Sequence, residues 1–382
     1  MTSQTPNSKS VLFTFHALVL CLFCLACQPA KEQTSYTPLP SEGCKAAWAD
    51  SAAFQFVDQL EAATRDGHPV WPGYSLGDGA VVLHAGKASD STECLGLWQE
   101  GKAKGFIKLE ELPKLATMLY GYYLNFDGIK QEEEENVLLG ISDQPQPLTD
   151  WLEGHGVKSA VLMPVDFPNF PFEIPALKKM QVAIHESFHI EVMIRYWFTG
   201  RGNWPAWDEQ PDRPGLQNCY HTSEELKAAF QKEKTELINL IEALLDQNKE
   251  RSREAGLNFL DLRKARYLML EGVTVDRQDG SKCNCEEAEN LMELEEGLAD
   301  YGSWTMLYNL GISSREELIQ RYGAIQNDPF YLTGAMLMHA IALMYPGDTM
   351  EVINEINQSA TVQEGALITL FEREFQQYHG LE

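Results

Sequence analysis

The chain has 382 residues, of which 44% are hydrophobic and 10% aromatic, so it can bury one large core or two modest ones. It carries 30 Lys and Arg against 56 Asp and Glu, which gives a formal net charge of -26. A field of this sign repels phosphate backbones and anionic headgroups, which removes nucleic acid from the expected partners.

An apolar stretch, 11–26, stands near the start of the chain, and Cys27 follows it directly. The stretch is shorter than a usual membrane span and ends in a small residue, which is typical of a secretory signal peptide cleaved after Ala26. This boundary resembles the lipobox of bacterial lipoproteins, which implies that Cys27 becomes a lipid-modified N-terminus and the membrane anchor. Because Gln28 is not Asp, the boundary is similar to that of lipoproteins sorted to an outer membrane. We therefore expect an exported protein at the outer membrane or its periplasmic face, with plain secretion and an uncleaved membrane anchor as alternatives.

The mature chain is predicted to begin with a polar segment and to continue into an α/β region. Residues 27–43 are rich in Pro, Ser and Thr, which predicts a flexible tether after a signal peptide of residues 1–26. Residues 44–174 form the predicted α/β N-terminal region. Its hydrophobic periodicity and short β-branched runs predict helices at 45–65 and 112–124 and strands at 80–84, 94–98, 105–109, 136–141 and 159–165.

Beyond that region the periodicity is that of helices, so residues 175–382 are predicted as a helical region that completes one catalytic unit. Its first helix is predicted at 175–200, and the segment 199–220, rich in Trp, Pro, Asp and Gly, is predicted as a long loop beside a cleft. Thr222 and Glu225 form a capping-box pattern at the start of the next helix. Further helices are predicted at 259–270, 286–310, 315–322, 330–344 and 362–378.

Export places the cysteines in an oxidising compartment, where disulfides form. Besides Cys27 the mature chain has an odd number of cysteines, so at most two internal disulfides are expected and one thiol stays unpaired. These residues are Cys44, Cys94, Cys219, Cys283 and Cys285. Cys283 and Cys285 lack a second Cys or His pair at finger-like spacing. A disulfide or an inert thiol is therefore expected there, with structural zinc as the alternative.

The segment His185-Glu186-Ser187-Phe188-His189 has the pattern H-E-x-x-H within the first predicted helix. Residues four apart are separated by about 40° around a helix axis, so both imidazoles face one way and can bind one zinc ion. Glu186 then projects beside the open coordination position, where it is placed to act as a general base. Roughly 0.02 such matches are expected by chance in a chain of this composition. Two histidines that merely pack in a core are the alternative.

Catalytic zinc takes three protein ligands, so a further His, Asp or Glu is required. Glu296 and Asp300 lie at positions i and i+4 of the predicted helix 286–310, where both carboxylates can face the ion. We predict Glu296 as the third ligand, with Glu293 as the alternative. We predict Asp300 as the acceptor of a hydrogen bond from a liganding imidazole. The carboxylates at the start of this helix are expected at the surface; they are Glu286, Glu287 and Glu289.

The two motifs, H-E-x-x-H at His185 and E-x-x-x-D at Glu296, resemble those of the gluzincins, the thermolysin-like clan of zinc metallopeptidases. The resemblance implies that His185, His189 and Glu296 bind Zn²⁺. It makes Glu186 the general base and proton donor, and Asp300 the support of an imidazole. It also implies an α+β, zincin-like fold with a mixed β-sheet and helices N-terminally, a mainly helical C-terminal half, and zinc in the cleft between. The resemblance covers only these two short segments.

The resemblance also implies parts of the substrate site. An oxyanion donor is expected from a Tyr or His of the C-terminal half, and Tyr331 is the first choice. The alternatives are His339, Tyr301 and His221. Strand 159–165, immediately before the zinc helix, corresponds to the edge strand that pairs with an extended peptide in zincins. The helices predicted between 222 and 270 would be an insertion between the two motifs.

The predicted function is that of a zinc-dependent hydrolase, a metallopeptidase that cleaves a peptide or protein substrate with zinc-activated water and Glu186 as general base. The alternatives are a non-catalytic, lipid-anchored binding or scaffold protein with a zincin fold, and a zinc amidase acting on a cell-wall substrate. The intact Glu186 favours an enzyme, because a non-catalytic protein would be free to lose that carboxylate.

Overall fold

The computed structural model of the protein describes residues in the strands and in most of the helical half. They are 80–85, 94–99, 102–108, 138–140, 151–152, 154–157, 159–164, 181, 184–185, 188, 211, 213–277, 279–324, 330–345, 347, 349–359 and 366–381. All of them belong to one compact unit, Pro38–Glu382. The predicted signal peptide, the anchor Cys27, the tether, the helices at 45–65 and 112–124, and the domain boundaries lie outside the described residues.

Strands of the described part of the chain form one mixed sheet before the helical half. They are β1 (Ala80–Ala85), β2 (Cys94–Gln99), β3 (Lys102–Lys108), β4 (Leu138–Gly140) and β5 (Ser159–Pro164). The order across the sheet is β3-β2-β1-β5-β4, with β1 parallel to β5 and the other neighbours antiparallel. The strand predictions are confirmed, although β3 begins at Lys102 rather than at residue 105.

β5 lies inside this sheet, because β1 pairs along one side of it and β4 along the other. The expectation that strand 159–165 is an edge strand is therefore wrong. β4 pairs antiparallel with Ser159–Val161 of β5, with Leu139 opposite Ala160, on the side of β5 that faces away from β1. Among the described strands, β4 forms the edge there.

The helical half contains two long helices followed by shorter ones. These are α1 (Glu224–Leu245), α2 (Lys249–Met269), α3 (Cys285–Met292), α4 (Leu298–Asn309), α5 (Arg315–Gly323), α6 (Phe330–Met344), α7 (Thr349–Gln358) and α8 (Leu367–His379). The predictions for α5 and α6 are confirmed to within one residue. α8 begins at Leu367 rather than at residue 362, and α7 was not predicted. None of the helices described is both long and apolar enough to cross a bilayer.

The start of α1 differs from the predicted capping box. Ser223 precedes the helix with an extended backbone, and its hydroxyl accepts the N–H of Leu226 at 3.1 Å. The predicted pair of Thr222 and Glu225 is therefore wrong, because the side chain that caps the helix is one residue further along.

α2 begins directly after its capping residue Asn248, whereas the hydrophobic pattern predicts a start at residue 259. The buried face of this first half is made of small residues, Ser252, Ala255 and Gly256. A Cβ at Gly256 would lie 2.1 Å from the ring of Phe375 in α8, so the small side chains let the two helices approach closely. Such a face shows no hydrophobic period, which is why the sequence did not reveal it.

A π-turn, Glu293–Gly297, interrupts the predicted helix 286–310 and separates α3 from α4. At this turn the chain crosses α6 at very short range. A Cβ at Gly334 would lie 2.4 Å from the carbonyl oxygen of Glu293 and 2.8 Å from the Cα of Gly297. Only glycine permits this approach. α6 is almost wholly buried and also packs on α1, α4 and α8, so the crossing lies in the core.

A disulfide joins Cys219 to Cys285, the first residue of α3. Cys219 ends two short helical turns, Arg213–Leu216 and Gln217–Cys219, inside the stretch predicted as a loop. The bond joins residues 66 apart, and closing a loop of this length stabilises the fold by about 4 kcal/mol, because it restricts the unfolded chain.

Cys283 is a buried free thiol in the hairpin that precedes α3. The hairpin consists of β6 (Thr274–Asp276) and β7 (Lys282–Asn284), which pair antiparallel. Because Cys285 is bonded to Cys219, the two cysteines cannot bind a metal together as thiolates. The alternative of structural zinc at this pair is therefore wrong. The expected disulfide is present at Cys285, and Cys283 is a buried free thiol.

We expect Gly334→Ala to lower the free energy of unfolding by about 1–3 kcal/mol, because the new methyl would meet backbone atoms that cannot rotate away. Gly323→Ala, at the last residue of α5, is the matched control, since a Cβ there has nothing within 4 Å. The control should be neutral or stabilising by up to about 1 kcal/mol. Urea denaturation followed by circular dichroism measures both, and equal midpoints would contradict the close crossing.

Candidate metal centre

Part of the predicted first helix is described, and its residues Gln181, Ile184, His185 and Phe188 have helical backbone and are buried. Their spacing places them on one face, and we call this element the His185 helix. A Cβ at Gly302 of α4 would lie 3.0 Å from the ring of Phe188, so the face packs closely against α4. This contact sets the distance between His185 and the carboxylates of α4 and the π-turn.

His185 lies between two carboxylates. Its Nε2 is 3.1 Å from Oε2 of Glu296, and its Nδ1 is 3.0 Å from Oδ1 of Asp300. His185 and Glu296 are each 6% exposed, and Asp300 is 1% exposed. The two pairs are 111 and 115 residues apart in the chain, so tertiary packing brings them together.

Asp300 accepts hydrogen bonds through both of its carboxylate oxygens. Oδ1 accepts an N–H of Gln181 at 2.8 Å, and Oδ2 accepts an N–H of Arg321 at 3.2 Å. The same amide of Gln181 donates to the hydroxyl of Ser303 at 3.1 Å. Since a carboxylate beside a guanidinium is an acceptor, the Nδ1 of His185 is the donor in the remaining contact. In a neutral imidazole this leaves the lone pair on Nε2.

That lone pair faces a second acceptor, because the Glu296 oxygen lies 3.1 Å from Nε2. Two acceptors at this distance repel each other in a buried site unless a proton or a cation is bound with them. Two ligands of one tetrahedral zinc ion, each at about 2.0–2.2 Å from it, would lie about 3.3–3.6 Å apart. Imidazole nitrogen and carboxylate oxygen are both ligands that zinc accepts, so these residues fit a zinc ion.

The other functional residues of the H-E-x-x-H pattern, Glu186 and His189, lie outside the described residues. Phe188 still has helical backbone, so the part of the helix that is described extends to the residue before His189. Within the described residues, no group of three His, Cys, Asp or Glu side chains has the arrangement of a complete metal site. The ligand roles of His185, His189 and Glu296 stay predictions.

Tyr331, the predicted oxyanion donor, lies against the imidazole of His185. The two rings are stacked, with centroids 5.7 Å apart and planes inclined by 6°. Tyr331 stands in the first turn of α6, one turn before Gly334, where α6 crosses the π-turn. The glycine crossing therefore places a phenol beside the candidate metal ligands, and its donation to an oxyanion stays a prediction.

The alternative donors have other surroundings. His339 is 3% exposed in the core, where its Nδ1 is 3.0 Å from the hydroxyl of Tyr322. Tyr301 is also buried, with its ring centroid 6.3 Å from that of His339. Burial raises the pKa of the Tyr301 hydroxyl and lowers the pKa of His339 to about 4. His221 is exposed in the bend before α1.

Sequence reasoning missed two residues that contact Asp300. Gln181 lies one helical turn before His185, so the same i, i+4 spacing that singled out the histidines could have found it. Arg321 comes from α5 and carries no motif, and only the folded chain brings it to Asp300. Glu293, the alternative third ligand, is bound by Arg263 of α2 instead, with the shorter contact at 2.6 Å.

We expect His339 to make the protein sensitive to acid. Its pKa is about 4 in the folded state, below the ordinary value of 6.5 because the ring is buried, so the unfolded chain takes up the proton first as pH falls below 6.5. Folding stability therefore decreases with falling pH, by about 2 kcal/mol between pH 7 and pH 5 from this residue. His339→Asn, whose amide can keep the contact with Tyr322, should remove that part of the decrease. Urea unfolding at both pH values in the presence of EDTA measures it, and an unchanged decrease in the variant would refute the assignment.

The chain was compared with known proteins at the level of families, sequences and folds. No protein-family model matches it, and neither does any curated protein or any solved structure.

Proposed function

We propose that the protein is a zinc-dependent hydrolase of metallopeptidase type, in which His185, His189 and Glu296 bind Zn²⁺ and Glu186 is the general base. The observation that carries the proposal is the buried contact of 3.1 Å between the Nε2 of His185 and Glu296. An imidazole nitrogen and a carboxylate oxygen, two kinds of zinc ligand, meet at this contact. His185 belongs to the H-E-x-x-H motif and Glu296 to the E-x-x-x-D motif, whose residue types suit zinc binding.

The charges around the imidazole favour a cation. Glu296 and Asp300 contribute two carboxylates within 3.1 Å of its ring nitrogens, and Arg321 is bound to the outer oxygen of Asp300. Both ring nitrogens of His185 therefore face carboxylate oxygens, in a site where water screens poorly. The hydrogen bond from Nδ1 to Asp300 also raises the basicity of Nε2, as carboxylates behind metal-binding imidazoles do.

A bound zinc ion would supply a Lewis acid for the scissile carbonyl and would lower the pKa of an attacking water. Glu186, next to His185 in the chain, would take the proton of that water and return it to the leaving nitrogen. Tyr331 would donate its hydroxyl to the oxygen on which negative charge develops. Asp300, itself bound by Arg321, keeps the proton of the His185 imidazole on Nδ1, so that the lone pair stays on Nε2.

The remaining parts of the proposal concern fold, substrate and location. A mixed sheet before the His185 helix and a helical half after it are what a zincin-like α+β fold requires. We assign the role of pairing with an extended peptide to β4 instead of β5, because β4 is the last strand on the β5 side of the described sheet. An anchor at Cys27 would hold the enzyme at the outer membrane or its periplasmic face.

Zinc analysis of the purified protein tests the proposal. We expect near-stoichiometric zinc in the wild type and in Glu186→Gln, and a loss of peptide-library cleavage by about 10²–10⁴ in Glu186→Gln. Glu296→Ala should raise the Kd for zinc by more than about 100-fold, because it removes a ligand. Glu286→Ala is the matched control, since Glu286 is an exposed carboxylate of α3.

The alternatives make different predictions in the same assays. A wild type that binds no zinc would overturn the proposal, and full zinc binding by Glu296→Ala would overturn the third ligand. A wild type that binds zinc but cleaves neither peptides nor cell-wall amides would favour the binding or scaffold protein. Cleavage of cell-wall fragments alone would favour the amidase.

We expect Tyr331→Phe to lower kcat by about 10²–10³ with little change in KM, because the hydroxyl acts only as charge develops on the oxyanion. The phenyl ring keeps the stacking on His185, so the metal site should be preserved. Tyr301→Phe, which removes the hydroxyl of a buried tyrosine in α4, is the control and should leave kcat within about threefold. Steady-state kinetics on a fluorogenic peptide measures both, and equal kcat values for the two variants would remove Tyr331 from the mechanism.

A further inference from the structure

Five ionisable side chains form a buried cluster between α1, α2 and α3, which we call the Arg263 cluster. Its members are Arg263, Arg266, Glu233, Glu289 and Glu293, and all are 2% exposed or less. The expectation that Glu289 lies at the surface is therefore wrong. The reason is that two guanidiniums of α2 face it, with Nη2 of Arg263 at 2.9 Å and Nη2 of Arg266 at 2.7 Å from its Oε1.

The two arginines share Glu233 and Glu289 as partners and differ at Glu293. Arg263 donates two hydrogen bonds to Glu293, from Nη2 at 2.6 Å and from Nη1 at 3.2 Å. Its Nε donates to Glu233 at 2.8 Å. Arg266 donates to Glu233 and Glu289, with the shortest contact of 2.6 Å from its Nε to Glu233. The described contacts thus connect Arg263, and not Arg266, directly to Glu293.

Glu293 is the first residue of the π-turn, and Glu296 is the fourth. In a regular α-helix, residues three apart are separated by about 60° around the axis, so both carboxylates would share one face. A π-turn contains an extra residue and winds more slowly, which turns them apart. Glu293 can then face α2 while Glu296 faces His185, and both contacts are present.

We propose that Arg263 is a positioning residue for the metal centre: its two bonds to Glu293 hold the π-turn that directs Glu296 toward His185. The inference rests on the function proposed above. Without the two hydrogen bonds from Arg263, the π-turn can relax toward a regular α-helix. That change rotates the side chains of Glu293 and Glu296 relative to each other around the helix axis. π-turns inside helices recur at functional sites, where surrounding contacts maintain them.

The composition of the cluster shows which variants it tolerates. It contains three carboxyl groups and two guanidiniums, so one carboxyl is in excess. Burial raises the pKa of Glu289 to about 7, in keeping with that excess of acid. Neutralising one carboxyl therefore relieves repulsion among the rest, and a Glu→Gln change in this cluster should leave the protein folded.

The test is the affinity for zinc, measured by competition with a chromophoric chelator, together with the visible spectrum of the cobalt-substituted protein. Arg263→Lys keeps the positive charge but cannot donate to both oxygens of Glu293 at once, as the guanidinium does. We therefore expect its Kd for zinc to rise about 10–100-fold and its cobalt spectrum to change. Arg266→Lys is the matched control, because it is equally buried in the same helix but its contacts avoid Glu293. Its Kd should stay within about threefold of the wild type, with an unchanged spectrum.

A second pair of variants serves if either lysine variant fails to fold. Glu293→Gln should weaken zinc binding by about 10-fold or more, whereas Glu233→Gln, at the other end of Arg263, should change it less than about threefold. Equal affinities within each pair, in a protein whose wild type binds zinc through Glu296, would overturn this inference alone. A wild type without zinc affinity would overturn both the inference and the proposed function.

Discussion

Glu293 and Glu296 are three residues apart, yet one binds Arg263 of α2 and the other contacts His185 from a different helix. The π-turn makes both contacts possible from one short segment, and the close crossing with Gly334 fixes that segment against α6. Removing Arg263 from its buried ion pair with Glu293 would cost about 3–5 kcal/mol, because the buried carboxylate would lose its opposite charge. The arrangement of α2, α6 and the His185 helix therefore depends on one turn of the chain.

The parts of the fold that could be predicted from the sequence are those whose buried faces are apolar. α6 has such a face, and its predicted bounds match the structure. The apolar and β-branched runs of β1, β2 and β5 also predicted their bounds to within one residue. The first half of α2 packs through Ser252, Ala255 and Gly256, and these small residues carry no hydrophobic period. The π-turn has no local signature either, because the contacts that maintain it come from Arg263 and Gly334, elsewhere in the chain.

The candidate site divides in the same way. The i, i+4 spacing of Glu296 and Asp300 identified two carboxylates that the structure places beside His185. Charged residues on helices were read as solvated, and that rule failed at Glu289, where guanidiniums from α2 bury it. Arg321 was missed for a related reason: its partner Asp300 is on another helix, and a single sequence does not show such pairings. Local spacing thus reveals which residues of one helix act together, but not which helices meet.

The disulfide between Cys219 and Cys285 has a consequence for proteolysis. Along the chain, Cys219 precedes the hairpin of α1 and α2, and Cys285 follows it. The turn that connects the two helices, 246–248, is exposed. A cut in that turn would divide the chain, but the disulfide would still join the two pieces covalently. Glu233 would then belong to one piece and Arg263 to the other, held together by their buried ion pair as well. In an environment rich in proteases, the molecule would survive a nick in this exposed turn as a two-chain protein joined by its disulfide.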